Sequence, residues 1–411
     1  MTAIAYEYSD DLKAVLEAVQ GFLKTEVFPR HQKHEELLTN QRLLYKEDGR
    51  FSHDAWEVIS EVRMASAEAG FYAMCAPKEM GGGGFPVLGY FAVWEQIFRL
   101  CGMKYWLGHH MVSHWAKGPS AVLNNMTAEA QKLLLPDIMS GKTTLCFGLS
   151  EPGAGSDAAM IKTRATPDGD GWRLNGSKIW TTNSPHADYT IVFAVTDPEQ
   201  ASKRAGGIST FLVPTNAPGF VIEKVIKMWG SPGGDEAVLH FDNLRLEPYH
   251  LVGTLHKGFR TAMLGVGLGR IYNSARVVGI CRWAIEMAFD YAKVRRTFDT
   301  PISEYQGVMF PLAESAMQIH AAHLMSINVA QLLDRGLPAT KELSMTKAFA
   351  VEAGVKAIDR VMQTHGAIGF TNEMFLTDAF ITMRKINVAD GTNEILRRQI
   401  VKQFLGGDTS L

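Results

Sequence analysis

The 411-residue chain reads as a mainly α-helical protein with a β insert. Three observations predict this. Apolar residues recur at helical spacing up to Met139. Short runs of β-formers, bounded by Gly, Pro, Asn and Asp, take over near Gly141. Long helical periodicity returns after Gly258. A content of 46% hydrophobic and 20% charged residues suits a folded chain of two or three domains. A formal net charge of −2 supplies no basic field to recruit nucleic acid.

In order, Ser9 to Phe28 predicts an amphipathic helix with Leu12, Val15, Leu16, Val19, Phe22 and Leu23 on one face. Ser9 or Asp10 caps it, and Pro29 is expected to follow its end. Helical pattern continues from Ala55 to Ala69. The Met80 to Pro86 run, with four glycines, breaks it. No GK[ST] follows these glycines, so a turn is expected and not a phosphate loop. Helices resume through Arg99 and from Ala128 to Met139. Tyr189 to Val195, Ile208 to Val213, Val221 to Ile226 and Ala237 to Phe241 read as strands. Helical patterns then run from Arg270 to Arg295, Tyr305 to Leu333, Lys341 to Thr364 and Asn393 to Leu405. No apolar run reaches transmembrane length. Met1 to Asp11 carries acids and no long apolar or basic amphipathic stretch, which predicts neither a signal nor a transit peptide. Cys75, Cys101, Cys146 and Cys281 lack CxxC spacing, so no metal site or disulfide framework is expected, and a reducing compartment fits.

Three motifs carry chemistry. Ser150-Glu151-Pro152-Gly153-Ala154-Gly155-Ser156-Asp157 is either a tight capped loop or one whose small residues let backbone N–H groups approach an anion. Gly176-Ser177-Lys178-Ile179-Trp180-Thr181-Thr182-Asn183 places a tryptophan in the β stretch, where core is the usual fate. Val388-Ala389-Asp390-Gly391-Thr392-Asn393-Glu394-Ile395 sets a carboxylate just before the last helix. Arg295-Arg296-Thr297-Phe298 ends a long helix, where a solvated basic face is the ordinary reading. Trp106, His109, His110, His114 and Trp115 cluster. His110 and His114 are four apart, but no acid or Cys accompanies them, which favours core or pocket lining over zinc.

In order and over nearly the whole chain, these motifs resemble the acyl-CoA dehydrogenase family. The resemblance implies an N-terminal helical domain (1–143), a middle β-barrel-like or sandwich domain (144–253) and a C-terminal four-helix bundle (254–411). It implies FAD, and a homotetramer, a dimer of dimers with the FAD site shared between subunits. It further implies an acyl-CoA substrate and an electron-transfer flavoprotein as acceptor. By resemblance, Ser150 bonds the flavin ring and Ser156 the pyrophosphate, with substrate also near Ser156. Trp180 lies against the flavin, and Thr182 bonds near N5. Phe147, Leu149, Gly155, Thr392 and Glu394 complete the expected local cofactor contacts. Arg295, Thr297, Phe298 and Gln306 would reach a neighbour's FAD, with Gln363 and Gly366 on the adenosine side. His365 and Ala367 depart from a common Phe-Gly-Gly there. Trp106 to Trp115 falls where the family's acyl-pocket helix is expected, and Thr196 is a candidate CoA contact.

Asp390 is the informative departure, since most members place Glu there as the catalytic base. A minority place their Glu at the position of Gly269, which cannot act as one. Asp390 is thus the base the pattern offers, with Arg270 beneath it. Its backbone N–H and a flavin ribityl hydroxyl would hold the thioester carbonyl. A free Asp, with a pKa of roughly 3.9, is a poor base for a carbon acid. Burial raises it and the following helix N-terminus lowers it. Ala389, where Tyr is common, and Gly391 line the substrate side. Ala389 with Asp390 either enlarges the site for a branched, cyclic or bulky acyl group, or is a neutral variation. Asp also serves as base in the related nitroalkane oxidases, so an oxidase of the same fold is the alternative. A desulfinase-like member and a non-catalytic FAD binder are weaker readings, because a carboxylate is retained. The expected location is the bacterial cytoplasm, with the mitochondrial matrix as the other option.

Overall fold

The computed structural model describes residues 6–410, so the leader reading of Met1 to Asp11 falls partly outside the described residues. The main helices are α1 (Asp10–Phe22), α2 (His53–Glu68), α3 (Val87–Cys101), α4 (Ala128–Met139), α5 (Gly258–Val294), α6 (Gln306–Asp334), α7 (Thr340–His365), α8 (Leu376–Ile386) and α9 (Asn393–Leu405). The strands are β1 (Leu145–Gly148), β2 (Arg164–Asp168), β3 (Gly171–Thr182), β4 (Tyr189–Val195), β5 (Ile208–Pro214), β6 (Phe220–Ile226), β7 (Glu236–Leu246) and β8 (Leu251–Val252). This is the helical–β–helical order of the three-domain fold expected from sequence. No helix among the described residues is long and apolar enough to cross a membrane.

The described residues form two compact units, one of residues 6–29, 86–109 and 269–410, the other of 30–85 and 110–268. The second holds the sheet, ordered β6-β7-β3-β2-β4-β5-β8 with β1 pairing in parallel to β4. Leu174, Val192, Phe211, Val213, Leu239 and Leu244 fill its core, each fully buried. Leu174 on β3 and Leu244 on β7 are flanked by partly or fully exposed polar residues, whereas β4 and β5 are buried almost throughout. In the first unit, α7 is the central helix. Gly354 lets α5 approach, because a Cβ there would meet Val277 Cγ1 at 2.7 Å.

Several boundaries differ from the sequence reading. Pro29 does not end the first helix. A π-helical turn (Leu23–Val27) intervenes, and Pro29 enters the first turn of a helix at Phe28–Lys33, where no N–H is needed. Ser9 caps α1 as expected, accepting from the Leu12 N–H at 3.2 Å. Helix α5 starts at Gly258, twelve residues before Arg270. Trp106 to Trp115 is not a helix: only Trp106–His110 forms a 3₁₀ turn. His110 and His114 therefore do not share a helical face. His109 Nε2 instead lies 2.9 Å from the Gly102 carbonyl, and His114 Nδ1 accepts from the Ala116 N–H at 3.1 Å.

Candidate active site

Asp390 sits in a turn between α8 and α9 with φ of 53°, followed by Gly391 at 95°. Two successive left-handed residues reverse the chain sharply. Asp tolerates that region better than most residues, and such strain gathers at functional sites. The Thr392 side chain caps α9 by accepting from the Ile395 N–H at 3.3 Å, which fixes where the turn ends. Glu394 is exposed in the first turn of α9, and Ala389 and Val388 face solvent.

The carboxylate lies over Gly269 of α5. A Cβ at Gly269 would stand 2.4 Å from Asp390 Oδ2 and 2.6 Å from its Cγ, so a larger residue there would push the carboxylate aside. Asn273, one turn further along α5 and 5% exposed, donates from Nδ2 to Asp390 Oδ2 at 2.7 Å. Arg270 Nε donates to the Asp390 backbone carbonyl at 3.1 Å. Lys347 of α7, fully buried, donates to the Gly391 carbonyl at 2.9 Å and lies 3.3 Å from Asn393 Oδ1. The cations thus bind main-chain oxygens of the turn, and the carboxylate's own hydrogen bond comes from a neutral amide. Oδ2 takes that bond, and Oδ1 has no hydrogen-bond partner among the described residues.

Electrostatics follow. Burial raises the Asp390 carboxyl to about 6, although Lys347, Arg270 and the Asn273 hydrogen bond each pull it down. Burial lowers Lys347 to about 8 and Arg270 below its usual value, with Asp390 opposing both changes. The balance that was open from sequence therefore falls on the side of desolvation.

The Ser150–Asp157 loop follows β1. Lys178, fully buried on β3, donates to the Leu149 carbonyl at 3.1 Å and to Glu151 Oε1 at 2.8 Å. Glu151 also accepts from the Lys162 and Thr163 N–H groups. Burial lowers Lys178 to about 8 against the pull of Glu151. Burial pushes Glu151 up, but Lys178 and the N–H donors outweigh it and leave it below the usual range. This pair anchors the loop from beneath, so Gly155 and Ser156 are exposed while Glu151 is buried. A Cβ at Gly153 or Gly155 would meet nothing within 4 Å, so their backbone is open to an approaching group. The Ser150 carbonyl accepts from the Ile179 N–H at 3.0 Å and joins the loop to β3.

On β3 the register against β7 shifts between Lys178 and Thr181. Trp180 sits in that bulge with φ of 61° and is 55% exposed. A bulge re-aims a side chain, and here it turns an indole out of the sheet, against the ordinary core reading. Half-buried Thr182 follows it. The exposed indole, the open glycines and the half-buried Ser150 are the donors and surfaces that a planar, phosphate-bearing cofactor requires, so this face fits FAD. Phe147 and buried Leu149 lie on and just after β1. Phe147 packs against Trp115 (ring centroids 4.8 Å). The Thr196 hydroxyl is engaged internally, 2.7 Å from Ser209 Oγ and 2.9 Å from His256 Nδ1.

The remaining expected contacts lie apart from Asp390. Arg295 stands 25 residues along α5 from Arg270, about 38 Å at 1.5 Å per residue. Arg295, Thr297, Phe298 and Gln306 are exposed there, Phe298 to 89% with φ of 51°. Tyr291 stacks on His365 (centroids 4.6 Å), which brings exposed Gln363 and Gly366 to the same end of the bundle. One chain therefore gathers two groups: Asp390, Arg270, Ala389, Gly391, Thr392 and Glu394 at one place, and the Arg295–Gly366 set at another. Asn273 and Lys347 were missed from sequence. Their signals were an amide three residues past Arg270 on one helix face and a lysine on the apolar stripe of α7.

Family models match along the whole chain. The acyl-CoA dehydrogenase N-terminal domain matches residues 9–142, the middle domain 146–244 and the C-terminal domain 256–405. A 3-(aryl)acrylate reductase of Clostridium sporogenes is 34% identical, the match covering 85% of this chain and 91% of that protein. An acyl-CoA dehydrogenase of Bacillus subtilis is 36% identical over 82% of this chain and 88% of that one. The solved butyryl-CoA dehydrogenase of Megasphaera elsdenii superposes with a TM-score of 0.81 at 26% identity, covering 98% of this chain and 100% of that one. With all three domains matched in order and full-length relatives above 30% identity, the chain belongs to the acyl-CoA dehydrogenase family of oxidoreductases.

Proposed function

We propose that this protein is an FAD-dependent dehydrogenase that desaturates the α,β-bond of an acyl-CoA thioester, with Asp390 as the base. The observation that carries the reading is the Asp390 carboxylate. It is half-buried, bonded through one oxygen only, and raised to about 6, so it is ionised near neutrality yet basic enough to take a proton from a carbon acid. Flavin, when bound, supplies the acceptor for the β-hydride. The residues of the chain do the rest. Asp390 Oδ1 accepts the α-proton as the electron pair of the Cα–H bond forms the new double bond. The Asp390 N–H is the protein donor for the thioester oxygen, whose negative charge grows as the proton leaves. Asn273 and Arg270 hold carboxylate and backbone against that change. Ser150, Ser156, Trp180 and Thr182 are the residues proposed to hold the cofactor, with Phe147, Leu149, Gly155, Thr392 and Glu394 around it.

The roughly 38 Å between the Arg270 and Arg295 ends of α5 supports a shared site. Arg295, Thr297, Phe298, Gln306, Gln363 and Gly366 would serve the FAD of a second copy, within a homotetramer. Ala389, exposed beside the base, favours a bulky acyl group, in keeping with an aryl substrate in the name of one relative. An electron-transfer flavoprotein is the proposed acceptor. Anaerobic titration of the purified yellow protein with straight, branched and aryl acyl-CoAs, and with nitroethane, tests the reading. Bleaching of the flavin by one thioester class is expected. Bleaching by nitroethane alone would move the protein to the oxidase alternative.

A further inference from the structure

We propose that Lys347 is a positioning residue for Asp390: its buried ammonium holds the left-handed Asp390–Gly391 turn through the Gly391 carbonyl and supplies the positive field in which the carboxylate works. The proposal rests on Asp390 being the base. Lys347 is 0% exposed on the inner face of α7, between Leu343 and Val351. Burying an ammonium costs several kcal/mol, and an apolar residue would fill the same space without that cost. Its hydrogen bonds go to neutral oxygens, the Gly391 carbonyl at 2.9 Å and Asn393 Oδ1 at 3.3 Å. One belongs to the residue after the base, the other to the first residue of α9. The ammonium therefore ties the turn at its exit, while Arg270 ties it at the Asp390 carbonyl.

The charged and titratable groups facing this pair are Arg270 on α5 and Glu394 on α9, with Asn273 as the neutral donor. Glu352 of α7 is engaged with Asn393 Nδ2 at 3.2 Å. Lys347 comes first among the influences that oppose burial at Asp390, ahead of Arg270 and Asn273. A neighbouring cation favours an ionised carboxylate. Without it, desolvation acts on Asp390 with less opposition.

The test uses holoenzyme carrying Lys347→Met or Lys347→Gln. Two readouts are taken: the pH profile of kcat/KM for acyl-CoA-driven flavin reduction, and infrared titration of the Asp390 carboxyl, assigned by difference against Asp390→Asn. The acid limb and the carboxyl titration should both move up by about one unit or more. That is roughly a tenfold loss of kcat/KM on the acid side, recovered at high pH. Superimposable profiles and titrations in folded variants would overturn the proposal, even with a lowered Tm. Failure of both variants to fold would also overturn it, by making Lys347 structural. An Asp390→Ala enzyme as active as wild type would instead remove the base assignment itself, whatever the lysine variants show.

Discussion

Gly269→Ala is the smallest change that should disable the proposed base while leaving the fold intact. The added Cβ would lie 2.4 Å from Asp390 Oδ2, 2.6 Å from Cγ and 2.9 Å from Oδ1. Non-bonded heavy atoms settle at about 3.5 Å or more, so the carboxylate must withdraw by roughly 1 Å. That displacement also lengthens the 2.7 Å bond from Asn273 toward breaking. A misplacement of about 1 Å costs on the order of 100-fold in rate. Stability should move the other way, because Ala in a helix interior is favoured over Gly by about 0.5–1 kcal/mol. The assay pairs anaerobic flavin-reduction rate with thermal unfolding. A rate down on the order of 100-fold at an unchanged or higher Tm is expected. A wild-type rate would refute the placement of the carboxylate over Gly269 and with it the role given to Oδ1.

Four further outcomes follow from the same geometry. Asn273→Leu removes a donor that lowers the Asp390 pKa, so the acid limb of the kcat/KM profile should rise above about 6. Asp390→Asn should stabilise the fold at neutral pH. The native carboxyl binds its proton more tightly than the unfolded one, so wild-type stability falls as pH rises from the ordinary aspartate value of 3.8 to about 6; melting curves across that range should converge at low pH and separate above it. Lys178→Met leaves Glu151 buried without its cation, which costs about 3–5 kcal/mol; the melt should drop, flavin retention on dialysis should fall, and Glu151→Gln in the same chain, neutral but still an acceptor for the Lys162 or Thr163 N–H, should recover part of the melt. Trp180→Ala, at a residue 55% exposed and held at φ of 61°, should leave the melt within about 1 kcal/mol but change flavin absorbance and oxygen reactivity.

The parts of the site written as contiguous motifs were legible. The Ser150–Asp157 and Gly176–Asn183 runs and the Asp390 turn are local, because each is a loop or bulge whose shape its own small and polar residues set. Strands β4 and β5 stood out because they are nearly continuous apolar runs, buried on both sides. Strands β2 and β3 did not, since their buried positions are separated by charged and polar residues. Helix α8 was missed because it is short and begins after Phe375 in a left-handed conformation, with no capping side chain to announce it. Asn273 and Lys347 were invisible for a different reason. Asn273 reads as one more polar residue of a long helix and Lys347 as a lone lysine on an apolar stripe, and only the tertiary approach of the Asp390 turn, 117 residues from Asn273, shows what they face. The helix expected at Trp106 to Trp115 does not form, since this stretch carries no sustained helical periodicity, and with Gly108 inside it settles as a 3₁₀ turn followed by bends.

The central proposed role is removal of the α-proton by Asp390. Its direct measurement is hydrogen–deuterium exchange at the α-carbon of an acyl-CoA that cannot lose a β-hydride, incubated with the holoenzyme in D2O and followed by NMR. Wild-type enzyme should wash the α-proton out, with a rate that rises through pH of about 6, and Asp390→Ala should not. Exchange that persists at the wild-type rate in Asp390→Ala would contradict the account.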